Sequence, residues 1–372
     1  MRGPTSDLAE RLGARYAIFG FSHDVEVVAA VSMAGGCGVL GTNRYEPESL
    51  ATDLSRLAER VGKAPFGVNL LVPSPARLLG GGVGRDEVPA GHVNFLQDVC
   101  SELGLRLDGG EGPLPNDHAF GGGTMTIEHA MALWEVCREA GPAVVSVGLG
   151  TPPRSLMEEA AAGGAVRVAL AGSRSHAERL AADGFDCIVA QGAEAAGHTG
   201  TVGTFVLVPE IVDVVTPRPV LAAGGVARGA QIAAAEALGA AGVWIGSALL
   251  PTQESRLPGV LKERILAAGS DATSRTRALT GKPSRQLRNA LLDAWERPDA
   301  PEPLPSPLQG RLMEQAVVRG LAGNDPRLMI SPAGQGIGLL DRPGTVATLM
   351  DRLVAEYRTA VERQCSGPAS RT

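Results

Sequence analysis

Eight short apolar runs, separated by helix-like stretches, constrain this 372-residue chain more than any other feature. They begin near residues 16, 38, 66, 143, 165, 187, 219 and 242, as in YAIFGF (Tyr16 to Phe21), CGVLG (Cys37 to Gly41), FGVNLLV (Phe66 to Val72) and CIVA (Cys187 to Ala190). A run that is apolar at nearly every position has both faces buried, the condition of a parallel strand covered by helices. The stretches between them carry helical spacing. In PESLATDLSRLAERVG, Leu50, Leu54, Leu57 and Val61 fall on one face and Gly62 supplies the stop. Eight such units predict a parallel sheet closed on itself, a (β/α)8 TIM barrel of the α/β class. A doubly wound open sheet satisfies the same count.

The rhythm breaks twice. Residues 73–141 hold two amphipathic stretches, HVNFLQDVCSELG and TIEHAMALWEVCREAG, around a Gly/Pro-rich segment at 109–123, and read as an elaborated connection. Beyond Leu250 helical segments are expected at Gly259 to Ala268, Ser284 to Trp295 and Gln309 to Gly320, with a proline-rich linker before the third. The expected division is a barrel formed by 1–252 and 328–372, with 253–327 as a small helical substrate or lid subdomain near the mouth. A last helix, roughly Thr345 to Gln364, returns to complete the barrel.

Composition removes several classes of function. A net charge of −6 argues against a nucleic-acid or anionic-membrane surface. No apolar stretch reaches the length of a membrane span and the N-terminus has no signal-peptide core, so a cytoplasmic protein is expected. Cys37, Cys100, Cys137, Cys187 and Cys365 are scattered without a CxxC pair, which suits free thiols better than a metal or disulfide framework. Lysine occurs only at Lys63, Lys262 and Lys282, which makes Schiff-base chemistry an unfavoured route.

The polar residues that interrupt these strands and their loops are the candidates for chemistry. Gln191 to Gly200 reads QGAEAAGHTG and sets one imidazole, His198, in a loop of small residues after the sixth strand. A surface turn with an incidental histidine is the plainer explanation of that residue taken alone. The loops after strands seven and eight contain Gly224 and Gly225, then Gly246 and Ser247. In a barrel these loops often hold phosphate, because glycine backbone admits the oxygens closely and a helix N-terminus carries positive potential. Tight turns are the plainer explanation of each glycine element alone. Asn69 and Gln191 are amides in apolar strands and need partners, which a structural network or a heteroaromatic ring edge can provide. His118 and His129 lack partners at metal spacing. His23 can line the mouth, or simply precede a helix capped by Asp24. Ser247 lacks the flanks of a nucleophile elbow.

Taken in order, AAVSMAGGCGVLG, PFGVNLLVP, VAQGAEAAGHTG, LAAGGVARGAQIAAAEALGAAGVWIGSALL, TGKPSRQLRN and SPAGQGIGLL resemble the nitronate monooxygenase family, formerly the 2-nitropropane dioxygenases. More distantly they are similar to the FMN-dependent enoyl-acyl-carrier-protein reductases. The resemblance implies an FMN flavoprotein in which Asn69 and Gln191 contact the isoalloxazine ring and Gly224, Gly225, Gly246 and Ser247 hold its phosphate. Phe19, Gly20 and Phe21 would form a wall of the flavin pocket, with Gly197, Gly200 and Gln335 lining it and His198 catalytic on the substrate side. Two departures stand out: Ala196 replaces the first glycine of Glu-Ala-Gly-Gly-His, and Phe19-Gly20-Phe21 replaces Ala-Pro-Met. The implied reaction converts an alkyl nitronate and molecular oxygen into a carbonyl compound and nitrite. The alternatives are NAD(P)H-dependent reduction of an enoyl substrate on the same fold and a non-catalytic flavin-binding protein. A homodimer is compatible with the sequence without being specified by it.

Overall fold

The computed structural model describes residues 3–72, 88–105, 107 and 126–365. Eight parallel strands close into a barrel in the order β1 (Ile18–Ser22), β2 (Cys37–Gly41), β3 (Phe66–Val72), β4 (Val144–Leu149), β5 (Val166–Ala171), β6 (Cys187–Gln191), β8 (Val220–Ala223) and β9 (Gly242–Ile245). The pairing of β1 with β9, Phe19 opposite Trp244, closes the ring and excludes the open sheet. Every strand start lies within two residues of the position expected from the sequence.

The strands are apolar throughout because each packs in two directions. Phe19, Val39, Val144, Val168, Val189, Leu221 and Trp244 point inward and fill the barrel. Ile18, Leu40, Val68, Val145, Ile188, Val220 and Val243 point outward against the helices. Leu8, from a short helix at Asp7–Leu12, joins the interior cluster. Gly38 permits the close approach of the Val25–Met33 helix to β2, since a Cβ there would collide with the carbonyl oxygen of Val28. The long helix Val346–Cys365 packs on the Gly229–Ala237 helix, where Tyr357 donates its hydroxyl to Glu236 at 2.7 Å.

A second hydrophobic cluster lies apart from the barrel. It combines Leu96 and Val99 of the Ala90–Glu102 helix with Leu291, Trp295, Met313, Val317 and Leu328. The segment Ser284 to Trp295, expected as one helix, is instead a strand followed by short helical turns. Ser284–Leu287 is β11, which pairs with β10 (Thr273–Thr276) on one side and with β7 (Gly197–His198) on the other. Cross-strand bonds to the nearby β10 and to β7, more than eighty residues away, outweigh the local helical pattern. Among the described residues no helix is long and apolar enough to cross a membrane. Cys37, Cys100, Cys137 and Cys187 are buried free thiols, and burial pushes Cys37 up to about 12.

Candidate active site

Side-chain alternation decides which residues reach the C-terminal end of the barrel. One step above the interior layer, Asn69 on β3 stands in register with Ser146 on β4 and donates from Nδ2 to Ser146 Oγ at 2.9 Å. Asn69 is buried, and its own backbone carbonyl accepts both the N–H and the hydroxyl of Thr42. Gln191 ends β6 opposite Ala223 and is half-buried.

The Phe19-Gly20-Phe21 strand divides its roles. Phe19 is buried a layer down and stacks on Trp244, with ring centroids 6.3 Å apart. Gly20 faces the other way, where a Cβ would lie 2.7 Å from Val31. Phe21 is the residue of the three that reaches the mouth, stacked at 6.3 Å on Trp244 and edge-on at 5.2 Å to His23. Both rings occupy the space in front of Gly41, whose Cβ would fall 2.5 Å from His23 and 2.9 Å from Phe21. Burial, reinforced by the positive charge of Arg44, lowers the His23 pKa to about 3, so the imidazole is neutral and its Nδ1 donates to the Gly41 carbonyl at 3.1 Å. The cap expected from Asp24 is not made. Its carboxylate instead accepts the N–H and the Nε of Arg256, both at 2.9 Å.

The glycine loops differ from expectation in one respect. Gly224 and Gly225 adopt left-handed backbone, φ 112° and 74°. They do not open directly onto the helix dipole: the helix begins at Gly229, whose N–H donates to Glu356 at 2.7 Å, while the N–H groups of Ala227 and Arg228 donate to Gln231. A carboxylate already neutralises that N-terminus, so an anion here would rest on the glycine turns and on Ser247. Gly246 faces open space, the nearest atom to an added Cβ being the Phe21 carbonyl oxygen at 3.9 Å. Ser247 starts a 3₁₀ turn and its Oγ accepts the Gly334 N–H at 2.8 Å.

The loop after β6 is held by contacts that the sequence did not announce. Glu194 accepts from the N–H and the hydroxyl of Thr204, each at 2.8 Å, and thereby caps the Thr204–Val215 helix. Its backbone carbonyl accepts the Gln335 N–H at 2.9 Å, which ties the Gln335 segment to this loop. Gly200 packs so tightly on Gly172 that a side chain would strike the Gly172 carbonyl, a structural reason for that glycine. Gly197 takes φ 72° and turns the chain into β7. His198 follows, exposed, opposite Ser284 of β11, with Nδ1 3.1 Å from the Pro283 carbonyl. A carbonyl only accepts, so Nδ1 carries the proton and Nε2 holds the lone pair of the neutral ring. His129 lies elsewhere, 4.0 Å from Glu46, and His118 is outside the described residues. Among the described residues no cluster of three metal-ligating side chains forms.

Comparison with known proteins agrees with this geometry. The chain is 43% identical, over 94% of its length and 96% of the relative's, to the Mycobacterium tuberculosis protein named "Putative monooxygenase Rv1533". In three dimensions it is similar to nitroalkane oxidase from Streptomyces ansochromogenes, with a TM-score of 0.77, 28% identity and 96% and 99% of the two chains covered. It is also similar to FabK from Thermotoga maritima, with a TM-score of 0.74, 26% identity and 97% and 98% covered. The family model for nitronate monooxygenase matches residues 17–356, a span that holds all eight strands of the barrel, and the chain belongs to that family.

Proposed function

We propose that this enzyme binds FMN across the barrel mouth and oxidises alkyl nitronates with molecular oxygen, yielding a carbonyl compound and nitrite. The observation that carries the reading is the His198 imidazole, exposed on a strand beyond β6 with its Nδ1 proton committed to Pro283. In the neutral ring the lone pair is then on Nε2. It can accept the α-proton of a neutral nitroalkane and, once protonated, donate to the oxygens of the resulting anion. A preformed nitronate needs only the second role.

The residues present fit the cofactor. The amides of Asn69 and Gln191 suit the polar edge of a flavin, and the Phe21–Trp244 stack supplies a flat apolar wall. Gly224, Gly225, Gly246 and Ser247 would take the phosphate, using the space in front of Gly246 that no side chain fills. Bound FMN would supply the electron-accepting ring and the route to oxygen. The protein's tasks are then to hold the nitronate carbon against the ring, to steady its charge through His198 and to exclude water, with residues 253–327 as the cover on the substrate side.

A His198→Asn variant keeps a side chain that hydrogen-bonds but has no basic nitrogen. It is expected to retain FMN and lose roughly 10²-fold or more in kcat/KM on neutral nitroalkane, with a smaller loss on the preformed nitronate. A variant as active as the wild type on both would remove His198 from the chemistry.

A further inference from the structure

We infer that the face of the three-stranded sheet that carries His198 is a subsite for an uncharged hydrogen-bond donor on the substrate, a hydroxyl or an amide N–H, with Gln286 as its specificity-determining residue. The inference rests on the nitronate reading and deepens it by naming what else the substrate must carry.

Residues directly opposite one another in a ladder share a face, as do residues two apart on one strand. Ser274 pairs with Gln286, Thr276 with Ser284, and Ser284 with His198, so these five side chains lie on one side of the sheet. The opposite side carries Arg275 and Arg285, which pair with each other. Arg285 is spent there, donating to the Ala193 carbonyl at 2.8 Å and to the Thr273 hydroxyl at 3.1 Å.

The face with His198 is polar throughout, exposed at His198, buried at Ser284 and Gln286, and incompletely bonded at its buried end. Gln286 is 1% exposed, and its Nε2 is committed to Ser284 Oγ at 2.7 Å. Its Oε1 and the buried Ser274 Oγ facing it have no hydrogen-bond partner among the described residues. Buried polar atoms in a folded protein are almost always paired, with protein, water or ligand. Two orphans opposite each other, on the sheet face of the candidate catalytic imidazole, leave an acceptor and a hydroxyl to be satisfied together.

The chemistry of the pair selects the ligand. A carbonyl oxygen accepts, so its partner must donate; a hydroxyl does either. The two arginines of the sheet are on the other side, so a carboxylate would be brought against the Gln286 oxygen with no arginine to compensate it. A hydroxyl, which both donates to Oε1 and accepts from Ser274, satisfies the set.

The test uses three nitronates of equal chain length, from 1-nitropropane, 3-nitropropan-1-ol and 3-nitropropionate, with the FMN-loaded wild type, Gln286→Leu and Ser274→Ala. The wild type is expected to favour the hydroxylated nitronate over the plain one by about tenfold or more in kcat/KM, with the carboxylate the poorest of the three. Gln286→Leu should abolish that preference while leaving the plain nitronate within about threefold, and Ser274→Ala should reduce the preference without abolishing it. No preference in the wild type, or one that survives in Gln286→Leu, overturns the subsite and leaves the nitronate reading intact. Calorimetric binding of 3-nitropropan-1-ol against 1-nitropropane in the absence of oxygen reads the same contrast without oxidative turnover. If no nitronate is consumed but the alcohol binds more tightly in a Gln286-dependent way, the subsite stands and the proposed reaction fails.

Discussion

Replacing Gly246 by alanine separates cofactor binding from stability. The added Cβ meets nothing closer than the Phe21 carbonyl oxygen at 3.9 Å, so the protein without cofactor has room for it. Gly246 has φ −135° and ψ −62°, outside the left-handed region, so a side chain carries no positive-φ penalty. A methyl placed in open space changes folding stability by within roughly 0.5 kcal/mol, and lost backbone freedom in the unfolded chain offsets part of any cost. Flavin is another matter. If the phosphate sits in front of Gly246, the same methyl enters an occupied volume, and overpacking of that kind costs roughly 1–3 kcal/mol. At 1.4 kcal/mol per tenfold, FMN affinity should fall by roughly 5- to 150-fold. The assay is titration of the apoprotein with FMN by fluorescence quenching, alongside denaturant unfolding of the same apoprotein. Unchanged FMN affinity with unchanged stability would refute the phosphate assignment at Gly246. A large loss of apoprotein stability would refute the claim that the space is open.

Gly38→Ala is the converse case: its Cβ would collide with the Val28 backbone, so the variant should lose at least about 2 kcal/mol in denaturant unfolding or fail to accumulate as soluble protein, and a stable variant would contradict the helix–strand contact. His23 predicts a pH effect. Its folded pKa, about 3, lies below the unfolded value near 6.5, so the unfolded state binds the extra proton between them and stability falls as pH drops through that window. At pH 5 the loss is at most about 2 kcal/mol, and a His23→Gln variant should have a flatter stability profile between pH 4 and 6.5; parallel profiles would argue against a half-buried, neutral His23.

The barrel was legible because its strands are buried on both faces, and a run such as FGVNLLV has few other places to be. Asn69 stood out as the polar residue of that run, and the structure supplies the partner it needed, Ser146. The contacts that build the mouth were not legible, because they join residues far apart in the chain. β7 is two residues long and exists only because Ser284 and Arg285 pair with it. Nothing local in SRQL announces a strand, so the segment read as helix. Glu194 looked like one more residue in a loop of small side chains until Thr204 and Gln335 supplied its partners. The Gly229 helix end looked ready for an anion, but Glu356, on the last helix, already occupies it. The resemblance grouped Phe19 and Gly20 with Phe21, whereas strand alternation turns Gly20 toward Val31 and leaves Phe19 on the inward face one layer below Phe21.

The central claim is tested most directly by measuring oxygen uptake and nitrite release from the purified, FMN-loaded protein mixed with an alkyl nitronate in air and no nicotinamide present. The account predicts oxygen consumption with stoichiometric nitrite, and a flavin that NADH and NADPH fail to bleach anaerobically. A flavin bleached by either nicotinamide, with no oxygen uptake on the nitronate, would contradict it and move the enzyme to the enoyl reductase reading.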